Sequence, residues 1–341
     1  MKPLNTYKGI LFHKVIKFAD KISARSVLRS VLYFMEDMFD KNILEKNKSL
    51  KDIHMGQRCF IFGNGVSVNN VDFSLLYNEY TFGVAEINKH KDFHKLNLKF
   101  FMFASPLWES EYVYSKSKYL NPYIYSFHDI KNWLINDKPL TRYGFNPFDR
   151  WGQADALLSN DTLIFLDATT SKFTEKNQFF ENKKVFYFKP FKNFSTVEEV
   201  SIDLTRRTSM AQGSIFLMTA IAMYMGFKEI YFIGNDYTLE PSLQFHFYDS
   251  PVFSKRLSKD AAVNLINKIA NARNIQVYKI VEDEDFYIPI YISQNKNLDA
   301  HEVVKKFAES TGVKLFNIVP DGFESPVYNK ISWDEVLRKM N

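Results

Sequence analysis

The chain has 341 residues, 46% of them hydrophobic and 24% charged, which predicts one large α/β domain or two domains and excludes a disordered protein. Its single cysteine, Cys59, excludes an intramolecular disulfide framework and a cysteine-rich zinc cluster, and it fits a reducing compartment. No secretory signal is visible, and the longest apolar run, residues 215–225, is too short to cross a bilayer. We therefore expect a cytoplasmic protein in which this run forms a buried helix.

The positive charge of the chain is concentrated at its N-terminus. Residues 1–30 carry seven basic side chains and one acidic side chain, while the whole chain has a formal net charge of only +5. The remainder of the chain is therefore close to neutral. This distribution argues against a core that binds nucleic acid, which would carry its positive charge across a folded face.

Residues 1–54 are predicted to form a basic, amphipathic helical extension. Apolar residues recur there at helical spacing, namely Leu11, Val15, Phe18 and Ile22. Two interpretations are open. The extension lies on an anionic membrane surface, to which its lysines are attracted, or it packs as a helical hairpin on the main domain or on a second subunit of a homo-oligomer.

Residues 59–67 form the motif around which the chain is organised. An unbroken apolar run ends there in Gly63-Asn64-Gly65, and Ser67 follows, so we predict a buried strand that enters a tight loop. The two glycines are expected to adopt positive φ angles and to let the backbone approach a ligand closely. Ser67 is expected to cap the next segment and to leave its N–H groups facing an anion. The sequence therefore predicts a phosphate-binding loop.

Further apolar strands are predicted to deliver polar residues to the same edge of a sheet. A strand over 80–87 ends at Glu86 and Asn88, one over 98–104 precedes Ser105, and one over 229–233 precedes Asp236. Because ligands bind outside the carboxyl ends of parallel strands, this pattern indicates an open, mostly parallel α/β sheet with a ligand along that edge. Additional strands are predicted over 162–166, 184–188 and 313–318, and helices over 261–272 and 300–310.

The starts of two predicted helices carry further residues of interest. Gly213 and Ser214 open the apolar helix over 215–225. His301 opens the last predicted helix and is expected to lie on the surface.

Three ordered segments, residues 60–67, 226–236 and 313–320, resemble the landmark segments of bacterial sialyltransferases of glycosyltransferase family forty-two. They are also similar to the related 6-hydroxymethylpterin diphosphokinase-like family found among surface-polysaccharide genes. Val66 stands where the glycine motif of both families usually has a proline. The resemblance implies a modified Rossmann-like domain over 55–341, with helices on both faces of the sheet and a small lid around 238–300.

The same resemblance implies the chemistry of the site. It implies inverting transfer of a sugar from a CMP-sugar donor to a glycan acceptor, without a metal or another cofactor. The positions that it implies as donor-binding are Gly63, Asn64, Gly65, Ser67, Asn88, Ser105, Gly213 and Ser214. An ungapped match would place Glu86 where we prefer Asn88, because a carboxylate would repel the donor phosphate.

The catalytic base is where the chain departs from the sialyltransferases. The family's histidine lies shortly before the last helix, and Gln294 and Asn295 occupy that place in this chain. The nearest substitute by chemistry is His246, with Asp236 as its orienting partner, because imidazole titrates near neutral pH and suits a general base for an acceptor hydroxyl. His246 and Asp236 are therefore the candidate catalytic residues.

Three functions compete. The leading one is a glycosyltransferase of bacterial surface-polysaccharide synthesis, held at the inner membrane by its N-terminal helix near lipid-linked acceptors. The second is magnesium-dependent phosphoryl transfer from ATP to a pterin-like alcohol, with Asp236 helping to hold the metal ion. The third is a nucleotide-binding scaffold without catalysis, which the missing family histidine would favour.

Overall fold

A nine-stranded sheet forms the centre of the fold. The computed structural model describes residues 40–84, 86–103, 147–190, 194–209, 214–235, 256–257, 286–319, 325 and 327–340. The strands of the sheet are β1 (Arg58–Phe62), β2 (Thr81–Val84), β3 (Phe100–Met102), β4 (Leu163–Asp167), β5 (Lys184–Pro190), β6 (Arg207–Thr208), β7 (Glu229–Ile233), β10 (Lys314–Ile318) and β11 (Asn329–Ile331). A separate antiparallel pair joins β8 (Arg256–Leu257) to β9 (Phe286–Tyr287).

Every strand pair described in the large sheet is parallel. The helices of the described residues are α1 (Pro147–Leu157), α2 (Ser171–Lys176), α3 (Ser214–Tyr224), α4 (Ile288–Ser310) and α5 (Trp333–Met340), and residues 40–45 are also helical. The predicted α/β class with a Rossmann-like parallel sheet is therefore confirmed. The helix predicted over 261–272 lies outside the described residues.

The strand order places a switch point at β1. The order across the sheet is β11-β10-β7-β1-β2-β3-β4-β5-β6, so the chain adds strands outwards from β1 to β6 and then returns to the other side of β1. In such sheets a crevice opens where the direction of strand addition reverses, outside the carboxyl ends of the strands. In this sheet the reversal lies between β1 and β7, so a crevice is expected outside the carboxyl ends of these two strands.

Alternation along the central strands divides the core into two faces. On one face Phe60, Tyr231 and Phe316 form a stacked row across β1, β7 and β10, with ring centroids 5.2 and 5.0 Å apart, and Trp333 of α5 packs against Phe60. On the other face Phe232 contacts Tyr328. Tyr328 also contacts His301 of α4, whose ring packs against Phe216 of α3, so α3 and α4 lie on that side and α5 lies on the other. The predicted coverage of both faces is therefore confirmed.

Helix α3 is apolar on all its sides, which is typical of a helix enclosed by the protein. All of its residues from Phe216 to Tyr224 are buried. The expectation of a buried helix over this run is confirmed. Among the described residues, no helix is long and apolar enough to span a membrane.

The described part of the predicted N-terminal extension, residues 40–54, packs on the sheet. The Asn47 side-chain amide donates hydrogen bonds to the carbonyl oxygens of Tyr187 and Leu204 at 2.6 and 2.7 Å. Lys189 of β5 forms an ion pair with Asp40 at 2.6 Å. Residues 1–39 lie outside the described residues, so attachment to a membrane or to a second subunit stays a prediction.

Arg58 is the first residue of β1, and its hydrogen bonds allow a first test of stability. Its guanidinium donates to both carboxylate oxygens of Glu79 at 3.0 and 2.8 Å and to the Lys339 carbonyl oxygen at 2.8 Å. Because this two-point geometry is specific to arginine, we expect Arg58→Lys to lower the free energy of unfolding by about 1–2 kcal/mol. Urea denaturation measures it, and unchanged stability would show that the charge alone suffices.

Candidate functional site

The loops that follow β1 and β7 are joined to each other at the switch point. The Gly63 amide donates to the Ile233 carbonyl oxygen at 2.7 Å, and the Gly65 amide donates to the Gly234 carbonyl oxygen at 2.9 Å. The pairing of the two strands therefore continues beyond their ends. Two segments that are far apart in the sequence form one continuous backbone surface at the switch point.

The glycines of this surface are required by close approach of the two chains. A Cβ atom on Gly63 would lie only 2.3 Å from the Gly234 carbonyl oxygen. The prediction of positive φ at Gly63 and Gly65 is wrong, since Gly65 has φ −65° and Gly63 is not in the left-handed region. The left-handed residue is Gly234, with φ +68°, where a Cβ would also meet Val68 Cγ2 at 2.2 Å.

Ser67 lies within the segment that it was expected to cap. A five-residue 3₁₀ helix, Val66–Asn70, follows the loop, and Gly65 is its N-cap without a side-chain cap hydrogen bond. The expectation that Ser67 caps this segment is therefore wrong. Ser67 is instead buried beneath the loop, with 2% of its surface exposed, while Asn64 is half-buried at the loop itself.

Ser214 is the first residue of α3, and this helix begins beside the same loop. Ile215 Cδ1 lies 3.2 Å from the position that a Cβ atom on Gly63 would take. The N-terminal end of an α-helix carries a partial positive charge and N–H groups without partners in the helix. The start of α3 thus places a favourable environment for an anion next to the joined loops.

The end of β2 contributes Glu86 and Asn88. Glu86 is buried, with 2% of its surface exposed, and its carboxylate forms an ion pair with Lys89 at 2.6 Å. Asn88 is half-buried in the short 3₁₀ helix Ile87–Lys89. The Glu86 carboxylate is engaged within the protein, whereas Asn88 stays accessible, and the choice of Asn88 as a donor contact remains a prediction.

His301 is buried, so its expected place on the surface is wrong. Its Nδ1 lies 2.7 Å from the Tyr328 hydroxyl, and its ring packs against Phe216 of α3 with centroids 4.1 Å apart. Burial lowers the pKa of His301 to about 3. Helix α4 begins at Ile288, and its phase places residue 301 on the apolar stripe formed with Val304 and Ala308. That stripe was the available sequence signal.

Asn317 lies beside the joined loops, and the sequence did not suggest it. It lies in β10 with none of its surface exposed, and its Nδ2 donates to the Asn235 carbonyl oxygen at 3.2 Å. Asn235 directly follows Gly234, so β10 also contributes to the joined loops. A single asparagine within an apolar strand was a weak signal, and its partner could not be identified without the pairing of β7 with β10.

Several predicted site residues lie outside the described residues, namely Ser105, Gly213, Asp236 and His246. Their roles stay predictions. Gln294 and Asn295, at the family's histidine position, fall within α4. Among the described residues, no group of three or more histidine, cysteine, aspartate or glutamate side chains is placed to hold a metal ion.

Solved structures that match this chain at low similarity include glycosyltransferases. The sialyltransferase CstII from Campylobacter jejuni in complex with cytidine-5'-monophosphate is 16% identical over 81% of this chain and 85% of its own, with a TM-score of 0.36. The same enzyme with CMP-3FNeuAc is 16% identical over 83% and 98%, with a TM-score of 0.32.

A third structure is the MAf glycosyltransferase from Magnetospirillum magneticum AMB-1. It is 12% identical over 86% of this chain, which spans 38% of that protein, and its TM-score is 0.41. No protein-family model matches the chain, and no curated protein matches it significantly.

Proposed function

We propose that this chain is a glycosyltransferase that binds a nucleotide-activated sugar at the switch point between β1 and β7. The observation that carries the proposal is the pair of hydrogen bonds that joins the Gly63 and Gly65 amides to the chain leaving β7. This backbone surface stands where open α/β sheets bind their ligands. It is also built from two of the segments that resemble the sialyltransferase landmarks.

The third resembling segment lies beside the other two. Ile233 at the end of β7 is paired with Phe62 of β1 on one side and with Ile318 of β10 on the other. The three strands therefore end at the same level, and their loops emerge together. This common level supports a single ligand site that contacts all three segments.

The start of α3 suits the phosphate of a nucleotide-sugar. Ser214 offers a hydroxyl, and the first turn of the helix offers backbone N–H groups and a partial positive charge. In the proposed reaction the acceptor hydroxyl oxygen attacks the anomeric carbon and the bond to the nucleotide phosphate breaks. His246 takes the hydroxyl proton, and Asp236 orients the imidazole. CMP is the proposed nucleotide and a surface glycan the proposed acceptor.

Nucleotide binding is the first test. We expect CMP to raise the melting temperature more than UDP, GDP or ATP does. A ligand at about 100 times its dissociation constant adds about 2.7 kcal/mol to the free energy of unfolding, which is enough to measure. The shift should persist with a chelator. Ser214→Ala should reduce it, whereas Ser171→Ala, at the first residue of α2, should not. A response to another nucleotide but not to CMP would refute the donor, and no response at all would refute the site.

Catalysis is tested separately from binding. We expect the protein to hydrolyse or transfer sugar from a CMP-sugar in the presence of a chelator, with His246→Ala losing activity but retaining the CMP shift. Activity that depends on added magnesium would instead support phosphoryl transfer. Binding of CMP without turnover of any sugar nucleotide offered would support a scaffold.

A further inference from the structure

We propose that Asn317 is the positioning residue of the joined loops, because its side-chain amide fixes the course of the chain as it leaves β7 over the switch point. The inference deepens the proposed function and rests on it for the identity of the ligand. It concerns how the site is held in shape, which neither the glycine motif nor the helix start explains.

Two successive carbonyl groups beyond β7 are held from opposite sides. The Gly234 carbonyl oxygen accepts the Gly65 amide of the loop after β1, at 2.9 Å. The next carbonyl oxygen, that of Asn235, accepts Nδ2 of Asn317 from β10, at 3.2 Å. A peptide chain with two adjacent carbonyls held from its two neighbouring strands has little freedom to rotate. These bonds therefore hold the backbone of Gly234 and Asn235 in one conformation over the switch point.

An asparagine at this buried position lowers the stability of the fold, so stability alone does not explain its presence. Asn317 shares its side of β10 with Leu315 and is fully buried, so an apolar side chain is what the strand pattern predicts. Its Oδ1 is buried and has no hydrogen-bond partner among the described residues. Leaving a buried acceptor unpaired is costly, because it loses its hydrogen bonds to water without replacement. The interaction that offsets this loss is the hydrogen bond from Nδ2 of Asn317 to the Asn235 carbonyl oxygen.

Asn47 provides a matched control at the other side of the sheet. It too is fully buried, its Nδ2 donates to main-chain carbonyl oxygens, and its Oδ1 has no hydrogen-bond partner among the residues that the structure describes. It contacts β5, which is separated from β1 by three strands. Replacing either asparagine removes the same kind of hydrogen bond, from a buried side-chain amide to a main-chain carbonyl oxygen. Only Asn317 adjoins the switch point.

The test combines hydrogen exchange, which needs no ligand, with calorimetry of CMP binding. In full-length Asn317→Leu we expect the Gly63 and Gly65 amides to exchange at least tenfold faster, while the melting temperature stays close to that of wild type. CMP should bind at least tenfold more weakly. Asn317→Ala, which lacks the donor and adds neither bulk nor charge, should show both changes even if the leucine variant fails to fold. Asn47→Leu should show neither.

Each result bears on a different part of the proposal. Wild-type exchange at Gly63 and Gly65 in both Asn317 variants would overturn the positioning role. Faster exchange with unchanged CMP affinity would overturn its effect on the ligand. Faster exchange in a protein whose wild type binds none of the four nucleotides would support the positioning role and refute the proposed function instead.

Discussion

Gly63→Ala is expected to destabilise the protein by about 3 kcal/mol and to abolish the proposed nucleotide binding. The new Cβ would lie 2.3 Å from the Gly234 carbonyl oxygen and 2.9 Å from its carbonyl carbon, and both are backbone atoms that cannot move aside alone. The chains after β1 and β7 would have to separate, which breaks the bonds that join them. Overpacking in a close-packed interior typically costs 1–3 kcal/mol, and separation of paired backbones places this case at the upper end.

Gly152→Ala is the matched control for this substitution. Gly152 lies inside α1, where an added Cβ would meet no atom of the described residues within 4 Å. Alanine is favoured over glycine within a helix by about 0.5–1 kcal/mol, so this variant should be more stable than wild type. Urea denaturation gives both differences in the free energy of unfolding. If Gly63→Ala were as stable as wild type, the joined loops would not have the rigidity that the proposed site requires.

Apolar runs bounded by glycines allowed the central strands to be predicted. The strand at 229–233 matches β7, because a glycine precedes the run and Gly234 ends it. The edge strands β6 and β11 were not predicted, since Arg207–Thr208 and Asn329–Ile331 are too short and polar to carry a hydrophobic pattern. Such strands form because a neighbouring strand offers hydrogen bonds, which is not a property of their own residues.

The elements around the candidate site were predicted from the sequence, but the contacts between them were not. The glycine motif and the start of α3 were identified from local patterns, and the structure places them together. The reason for glycine at position 63 could not be found locally, because the atom that excludes a Cβ belongs to Gly234. The role of Asn317 depends in the same way on the pairing of β7 with β10. Contacts between distant segments are the information that a single sequence leaves out.

The largest pH effect among the described histidines is expected from His301. Burial lowers its pKa to about 3 in the folded protein, whereas the pKa of an unfolded histidine is about 6.5. Between these values the unfolded chain binds a proton that the folded protein does not bind. The stability attributable to His301 is therefore fully present above pH 6.5 and is lost as the pH falls towards 3, by about 1.4 kcal/mol per pH unit.

Replacing His301 with glutamine should remove this dependence. The amide can still hydrogen-bond the Tyr328 hydroxyl but does not titrate, so the free energy of unfolding of His301→Gln should fall less steeply between pH 6.5 and 4.5. The difference from wild type over that range should be about 2–3 kcal/mol. Urea denaturation at pH 7, 5.5 and 4.5 measures it, with His94→Gln, at an exposed position, as the control. Parallel pH profiles for wild type and His301→Gln would mean that His301 accepts a proton within the fold. The contact between α3 and α4 would then be open to water, and the start of α3 would be less firmly held beside Gly63 than its packing indicates.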